Sequence, residues 1–238
     1  MVYAVLFAGG VGKRMYTSSI PKQFIEVEGM PILIHTVLAF EKNKDIDAIS
    51  VVCVDSWRER FQEMLAEYNV TKVKWVVPGA ETGQQSIYNG INAIYQESKD
   101  ANHDIVLIND GVRPFVTDDV ITNCIESVKK FSSAIVVCPV PETIVKVNEQ
   151  DDITEIPDRS KWYLSKAPQG FILGELIQAH HRAMEENRYD CTNSAELMRR
   201  YGHSLHVIYD TPDNIKVTTP IDINLMKVIL QEKRNRND

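Results

Sequence analysis

Residues 2–7 read Val-Tyr-Ala-Val-Leu-Phe, an apolar run of strand-forming residues. They lead straight into Ala8-Gly9-Gly10-Val11-Gly12-Lys13-Arg14-Met15, and Pro21-Lys22-Gln23-Phe24 follows a few residues on. A strand that enters a glycine-rich turn presents bare backbone N–H groups, and without Cβ atoms in the way phosphate oxygens can reach them. Arg14 and Lys22 add positive charge to the same segment. The stretch reads as a cradle for a polyphosphate; the plainer alternative is a tight β-to-α turn with surface cations. Three familiar glycine motifs are excluded. Counting from Gly10, the dinucleotide fingerprint G-x-G-x-x-G meets Met15 in place of its third glycine. A Walker A loop would need glycine at Phe7 and Ser or Thr at Arg14. The companion motifs of a protein-kinase glycine loop are missing.

Working outward, further strand-like runs fall at 48–54, 73–77, 105–108, 134–140 and 205–208. Helix-like stretches separate them at 31–42, 57–68, 86–97, 118–131, 174–186 and 192–201, with Thr192 as the expected cap of the last. Residues 222–233 close the chain as a helix, and 234–238 read as a frayed tail. Strands alternating with helices imply parallel βαβ units, hence an α/β fold with a mostly parallel, doubly wound sheet and helices on both faces. In such sheets ligands bind beyond the C-terminal ends of the strands, where the glycine loop, residues 109–115 and residues 140–143 are expected to meet. Residues 142–163 break the rhythm. Thr143–Val147 alternates like a strand, 148–152 is turn-like, and 153–156 returns as a second strand. A hairpin outside the main sheet is marginal by itself in water, so it is expected to serve as a dimer arm; folding back on its own domain is the alternative.

A chain of 238 residues with 44% apolar and 25% charged residues fits one soluble domain, 1–238, with the arm as an appendage. A net charge of −7 argues against sequence-independent nucleic-acid binding. Cys53, Cys124, Cys138 and Cys191 form no C-x-x-C pair, so neither a zinc site nor a redox motif is expected. No signal peptide and no stretch of membrane-spanning length is read, and a cytoplasmic location with reduced thiols is expected.

Asp110 lies in Asn109-Asp110-Gly111-Val112-Arg113-Pro114, just past a strand-like run. Mg²⁺ typically takes one or two carboxylates together with phosphate oxygens, and Asp110 suits that role; capping of the next helix is better served by Asp118 and Asp119. In Asp213-Asn214-Ile215-Lys216-Val217-Thr218, Asp213 is a candidate second metal ligand and Lys216 a phosphate contact. The six histidines show no metal-ligand spacing, and no G-x-S-x-G elbow is present. A covalent nucleophile is therefore unsupported. A substrate phosphate, already ionised at neutral pH, would need only positioning and charge neutralisation.

Taken together, Ala8-Gly9-Gly10-x-Gly12-x-Arg14-Met15, Pro21-Lys22-Gln23-Phe24, Asp110-x-x-Arg113-Pro114, Asp158-Arg159, Ala167-Pro168-Gln169 and Asp213-Asn214-Ile215-Lys216-Val217-Thr218 resemble the cytidylyltransferases that make CDP-linked polyol phosphates, nearly end to end. The family has two close branches, acting on ribitol 5-phosphate and on 2-C-methyl-D-erythritol 4-phosphate. The resemblance implies a Rossmann-like, glycosyltransferase-A-like nucleotidyltransferase fold and a homodimer that exchanges the β-arm. It implies that Ala8, Gly9, Gly10, Gly12 and Lys13 wrap the CTP phosphates and that Arg14 and Lys22 stabilise the reacting α-phosphate. Gly79, Ala80 and Ser86 would belong to the cytosine loop. Asp110 would serve the metal and the ribose. Arg113, Thr143 and Lys216 would contact the polyol phosphate, joined by Arg159 from the partner's arm. A divalent cation, Mg²⁺ first among them, is implied with CTP and the polyol phosphate, and neither nucleic acid nor membrane. The chain departs from the family pattern in four places. The 79–86 loop is one residue longer and lacks its arginine. Asn109 stands for a histidine, Ala167 for a threonine, and Asn193-Ser194 loses an acid. The likeness of Pro31–Thr36, 112–115 and 156–159 favours the ribitol-phosphate branch. The rivals are the methylerythritol-phosphate branch, a CTP-binding homologue without turnover and, disfavoured by Met15, a dinucleotide oxidoreductase.

Overall fold

The computed structural model describes residues 1–10 and 20–237, the side chains of 236 and 237 excepted. In chain order its elements are β1 (Val2–Ala8), a short 3₁₀ turn (Lys22–Phe24), β2 (Glu26–Val27), β3 (Met30–Pro31), α1 (Ile32–Lys42), β4 (Ala48–Cys53), α2 (Arg58–Glu67), β5 (Val73–Pro78) and α3 (Gly83–Tyr95). Then come β6 (Ile105–Asp110), α4 (Asp118–Phe131), β7 (Ser133–Pro139), β8 (Lys146–Val147), β9 (Ile153–Glu155), β10 (Tyr163–Ile172), α5 (Leu173–Glu185), α6 (Ser194–Arg200), β11 (Val207–Tyr209) and α7 (Pro220–Asn237).

The main sheet runs β11-β7-β10-β6-β1-β4-β5. The ladders β11–β7, β6–β1, β1–β4 and β4–β5 are parallel, and β10 is antiparallel to both its neighbours. Strand pleating sends alternate side chains to opposite faces. Along β1, Ala4, Leu6 and Ala8 enter one core with α1, α2 and α4; Tyr3 and Val5 enter the other with α3, α5 and α6. Burial on both faces explains why β1, β4 and β6 read as unbroken apolar runs. Register then sets the site. Phe7 pairs with Asp110 and Ala8 with Cys53, so the glycine loop, the end of β6 and the loop after β5 open on one edge.

The expected α/β architecture is present, with one strand unread in the sequence. β10 carries Tyr-Leu-Ser-Lys-Ala-Pro-Gln-Gly-Phe-Ile, which alternates poorly. Pro168 cannot donate to a ladder, and it lies where the register with β7 shifts between Ser165 and Gln169. Gly170 is needed because a Cβ there would come within 2.8 Å of Leu107 and Val128. Several boundaries also move. α3 starts at Gly83 rather than 86, because Thr82 and Gln85 form a capping box. Asn193, not Thr192, caps α6 by accepting the Glu196 N–H. The last helix runs through Asn237 instead of fraying at 234, and Arg234 pairs with Glu28.

β8 and β9 form the expected hairpin, closed by Asn148–Asp152 contacts. It does not fold back on its own domain: Val147 is 54% exposed, Ile153 58% and Ile156 64%. All four cysteines are free and buried. Among the described residues no helix is long and apolar enough to cross a membrane.

His180 on α5 is buried, and its Nε2 has no hydrogen-bond partner. Burial, with His181 adding like charge, pushes its pKa down to about 4. The unfolded chain takes up that proton near pH 6.5. Between about pH 6.5 and 4 the unfolded state therefore binds more protons, and stability falls as pH falls through this window, by on the order of 3 kcal/mol in all. Thermal denaturation at pH 7.5 and 4.5 should show a smaller acid-side loss in His180→Gln than in wild type; equal losses would contradict the buried neutral imidazole.

Candidate active site

Two adjoining cavities open at the C-terminal edge of the sheet. The first, about 210 Å³, is lined on one side by Ala8, Gly9, Gly10, Lys22 and Gln23, and on the other by Ala80–Gly83 and Ser86. The second, about 220 Å³, lies against β10 and the start of α6, with Ser165–Ala167, Gln169 and Thr192–Ser194 in its wall. Phe7, Asp110 and Lys216 line both.

The first cavity is held open by backbone contact. Gly9 and Gly79 pack face to face: a Cβ on Gly9 would lie 2.9 Å from the Gly79 Cα, and one on Gly79 3.0 Å from the Gly9 Cα. Gln23, fully buried, donates from Nε2 to the carbonyls of Ala8 at 2.5 Å and Gly10 at 3.3 Å. That ties the glycine loop to the turn carrying Lys22. Opposite, the Ala80 N–H donates to Ser86 Oγ at 2.9 Å, and the Ser86 hydroxyl donates to the Thr82 carbonyl at 2.9 Å. The longer 79–86 loop is thus closed on itself by Ser86 and the capping box. The Thr-x-x-Gln signature was present in the sequence, and it locates both the helix start and the loop's shape.

Where the cavities join, Asp110 ends β6 almost wholly buried. Its Oδ1 lies 2.5 Å from Lys216 Nζ, and its Oδ2 accepts from Arg113 Nε and Nη2, both at 3.2 Å. Arg113 Nη1 donates to the Asn214 carbonyl at 2.6 Å. One carboxylate therefore meets two cations and leaves a net positive charge at the junction. The Asp110–Arg113 pair is buried, where breaking such a pair costs about 3–5 kcal/mol, while Lys216 is partly exposed.

The predicted residues divide clearly. Ala8, Gly9, Gly10, Lys22, Gly79, Ala80, Ser86, Asp110, Arg113 and Lys216 come together; Gly79 contributes through its contact with Gly9 rather than as lining. Gly12, Lys13 and Arg14 lie outside the described residues. Asp213 is exposed and lines neither cavity; the loop turns Asn214 inward in its place. A second metal carboxylate beside Asp110 from that loop is not formed, and among the described residues no group of three or more His, Cys, Asp or Glu side chains could hold a metal. Thr143 and Arg159 are exposed on the arm and line neither cavity of their own chain. Sequence reasoning missed Gln23, Lys166 and Gln169 as site builders. Gln169 Oε1 accepts the Ala195 N–H at 2.9 Å and so fixes the start of α6 in the second cavity's wall. Its signal, a glutamine after proline in an unrecognised strand, was carried only by motif.

The family described as "IspD: 2-C-methyl-D-erythritol 4-phosphate cytidylyltransferase" matches residues 2–232. The chain belongs to this family. This cytidylyltransferase is a nucleotidyltransferase, and its sheet edge carries the two adjoining cavities described above. It is 43% identical, over 99% of its length and 98% of the relative's, to a ribitol-5-phosphate cytidylyltransferase of Vibrio parahaemolyticus. It is 36% identical, over 98% of both chains, to a 2-C-methyl-D-erythritol 4-phosphate cytidylyltransferase of Geobacter metallireducens. Its fold superimposes with a TM-score of 0.83 on 4-diphosphocytidyl-2C-methyl-D-erythritol synthase from Anaerococcus prevotii, at 24% identity, covering 97% of this chain and 96% of that one.

Gly9→Ala should lower stability by about 1–3 kcal/mol, because the new methyl meets backbone and no rotamer relieves it. Gly10→Ala, whose Cβ meets nothing within 4 Å among the described residues, serves as the control. Chemical denaturation of the two variants checks this; equal stabilities would show that the Gly9–Gly79 contact yields.

Proposed function

We propose that the chain transfers the cytidylyl group of CTP to a polyol phosphate, D-ribitol 5-phosphate first among them, giving CDP-ribitol and pyrophosphate. The observation that carries this reading is the pair of cavities meeting at Asp110 and Lys216, one walled by the glycine loop and Lys22, the other by β10 and α6. The full-length likeness to a ribitol-5-phosphate enzyme at 43% identity, against 36% for a methylerythritol-phosphate enzyme, supports the acceptor.

In this reading CTP lies in the first cavity with its phosphates along the glycine loop. The acceptor phosphate enters the second. One of its oxygens attacks the α-phosphorus, the bond to the bridging oxygen of the β-phosphate breaks, and pyrophosphate leaves with that electron pair. The acceptor phosphate is already an anion, so no general base is required. Positioning and charge neutralisation are what the protein supplies. Lys22 and Arg14 neutralise the α-phosphate as it becomes five-coordinate. Lys216, at the border, faces both phosphates, and Arg113 supports it through Asp110.

Asp110 fits one carboxylate of an Mg²⁺ site completed by phosphate oxygens. When bound, the ion would neutralise charge on the triphosphate; here Lys216 and Arg113 take the carboxylate's two oxygens. The exposed hairpin with Thr143 and Arg159 is the arm of a homodimer, bringing those residues to the partner's acceptor cavity. Four free, buried thiols fit a cytoplasmic enzyme.

With CTP and Mg²⁺, pyrophosphate release should be faster with D-ribitol 5-phosphate than with 2-C-methyl-D-erythritol 4-phosphate. The reverse order would reassign the acceptor, and CTP binding without release from any polyol phosphate would leave only a binding protein. Lys22→Ala should lower kcat by about 10²–10³ while raising the CTP dissociation constant less than tenfold; an equal loss in both would deny it a transition-state role. Replacing residues 145–155 by a short Gly-Ser linker should convert a dimer into a monomer in sedimentation and lower acceptor turnover more than CTP binding; a dimer that persists would sink the arm.

A further inference from the structure

Lys166, on β10, lines the second cavity, where a lysine first reads as a contact for the acceptor's phosphate. Its ammonium is directed elsewhere. Nζ donates to the backbone carbonyls of Thr211 at 3.0 Å, Pro212 at 3.1 Å and Asn214 at 3.2 Å. An ammonium has three N–H donors, and these three carbonyls use all of them. Charge-assisted bonds of this kind are stronger than neutral ones. The same segment has further ties: Arg113 donates to the Asn214 carbonyl, Asn214 Nδ2 donates to the Ala167 carbonyl of β10 at 2.9 Å and to Asp210 at 2.7 Å, and the Val217 N–H donates to the Val112 carbonyl at 2.8 Å. Two residues beyond Asn214 stands Lys216, 2.5 Å from Asp110.

We propose that Lys166 is a positioning residue: its ammonium clamps the 211–214 backbone so that Lys216 stays at the junction of the two cavities, and it does not itself bind the acceptor phosphate. The inference rests on the reading of Lys216 as the cation that meets the reacting phosphates. The clamp accounts for the loop's orientation. Drawing three carbonyls toward β10 leaves the Asp213 side chain in solvent and turns Asn214 inward. It also ties the two halves of the edge together, joining β10 to the 211–217 loop alongside the bond from Asn214 to the Ala167 carbonyl. A displacement of about 1 Å in a group that positions reacting atoms can cost about 10²-fold in rate, so a lysine touching no substrate can still govern turnover.

The test compares wild type with Lys166→Met, which keeps the stem and removes the donors, and Lys166→Arg, which keeps charge and donors. Hydrogen exchange of peptides covering 211–217 reads the clamp directly. Pyrophosphate release at varied D-ribitol 5-phosphate and calorimetric CTP binding read its consequence. Lys166→Met should exchange faster in 211–217, lose at least tenfold in kcat/KM for the acceptor, mostly in kcat, and keep its CTP dissociation constant within threefold. Lys166→Arg should recover most of the lost rate. Unchanged exchange, or faster exchange with acceptor kcat/KM within twofold of wild type, would overturn the proposal. So would a loss confined to the acceptor's KM, which marks a direct phosphate contact. If Lys166→Met does not fold, Lys166→Gln is read by the same criteria. Should wild type release no pyrophosphate with any polyol phosphate, the acceptor reading fails by itself, and the exchange comparison still decides whether Lys166 holds the loop.

Discussion

One buried carboxylate organises this edge of the molecule. Asp110 ends the strand paired with β1, and its two oxygens are taken by two cations, Arg113 from the turn that follows it and Lys216 from the loop after β11. Removing a carboxylate from water is unfavourable unless opposite charge and hydrogen-bond donors replace the lost solvation. Asp110 therefore needs both partners close, and that need draws the loop after β11 across the sheet onto the end of β6. The two cavities are two sides of this junction. A nucleotide's charge can be met on one side and a second anion's on the other by side chains already in place, which is the arrangement transfer between two phosphates requires.

The walls around the junction are built mainly from backbone. Gly9 against Gly79 lets two strand-end loops touch, Gln23 holds two carbonyls of the glycine loop, and Ser86 with Thr82 and Gln85 closes the loop opposite. Such walls need little rearrangement when charge arrives, because their donors and carbonyls are already committed. The second wall depends on β10. Inserted antiparallel between β6 and β7, it brings Ser165, Lys166 and Gln169 into the same cavity wall as Asp110 and adds a second cavity to the edge of a parallel sheet.

The hairpin follows a different logic. Its apolar residues face solvent on a protrusion, and its two short strands bury too little to be stable by themselves. Those exposed apolar side chains are the surface that the proposed dimer would cover, and the residues carried there lie outside the cavities of their own chain.

By itself the sequence determined the alternating α/β core, the strand end bearing Asp110, the glycine loop and the cations at Lys22, Arg113 and Lys216. These are legible because apolar runs, periodicity and short motifs are local properties of the chain. Tertiary structure decided the rest. β10 was hidden because its pattern is broken by Pro168 and Gly170, residues chosen by neighbouring strands and not by strand propensity. Asp213 looked like a ligand because spacing places it near Lys216. Which side chain of that loop turns inward was settled by carbonyls held from Lys166 and Arg113, distant in sequence, and no local pattern records a hydrogen bond between a side chain and a backbone some 45 to 100 residues away.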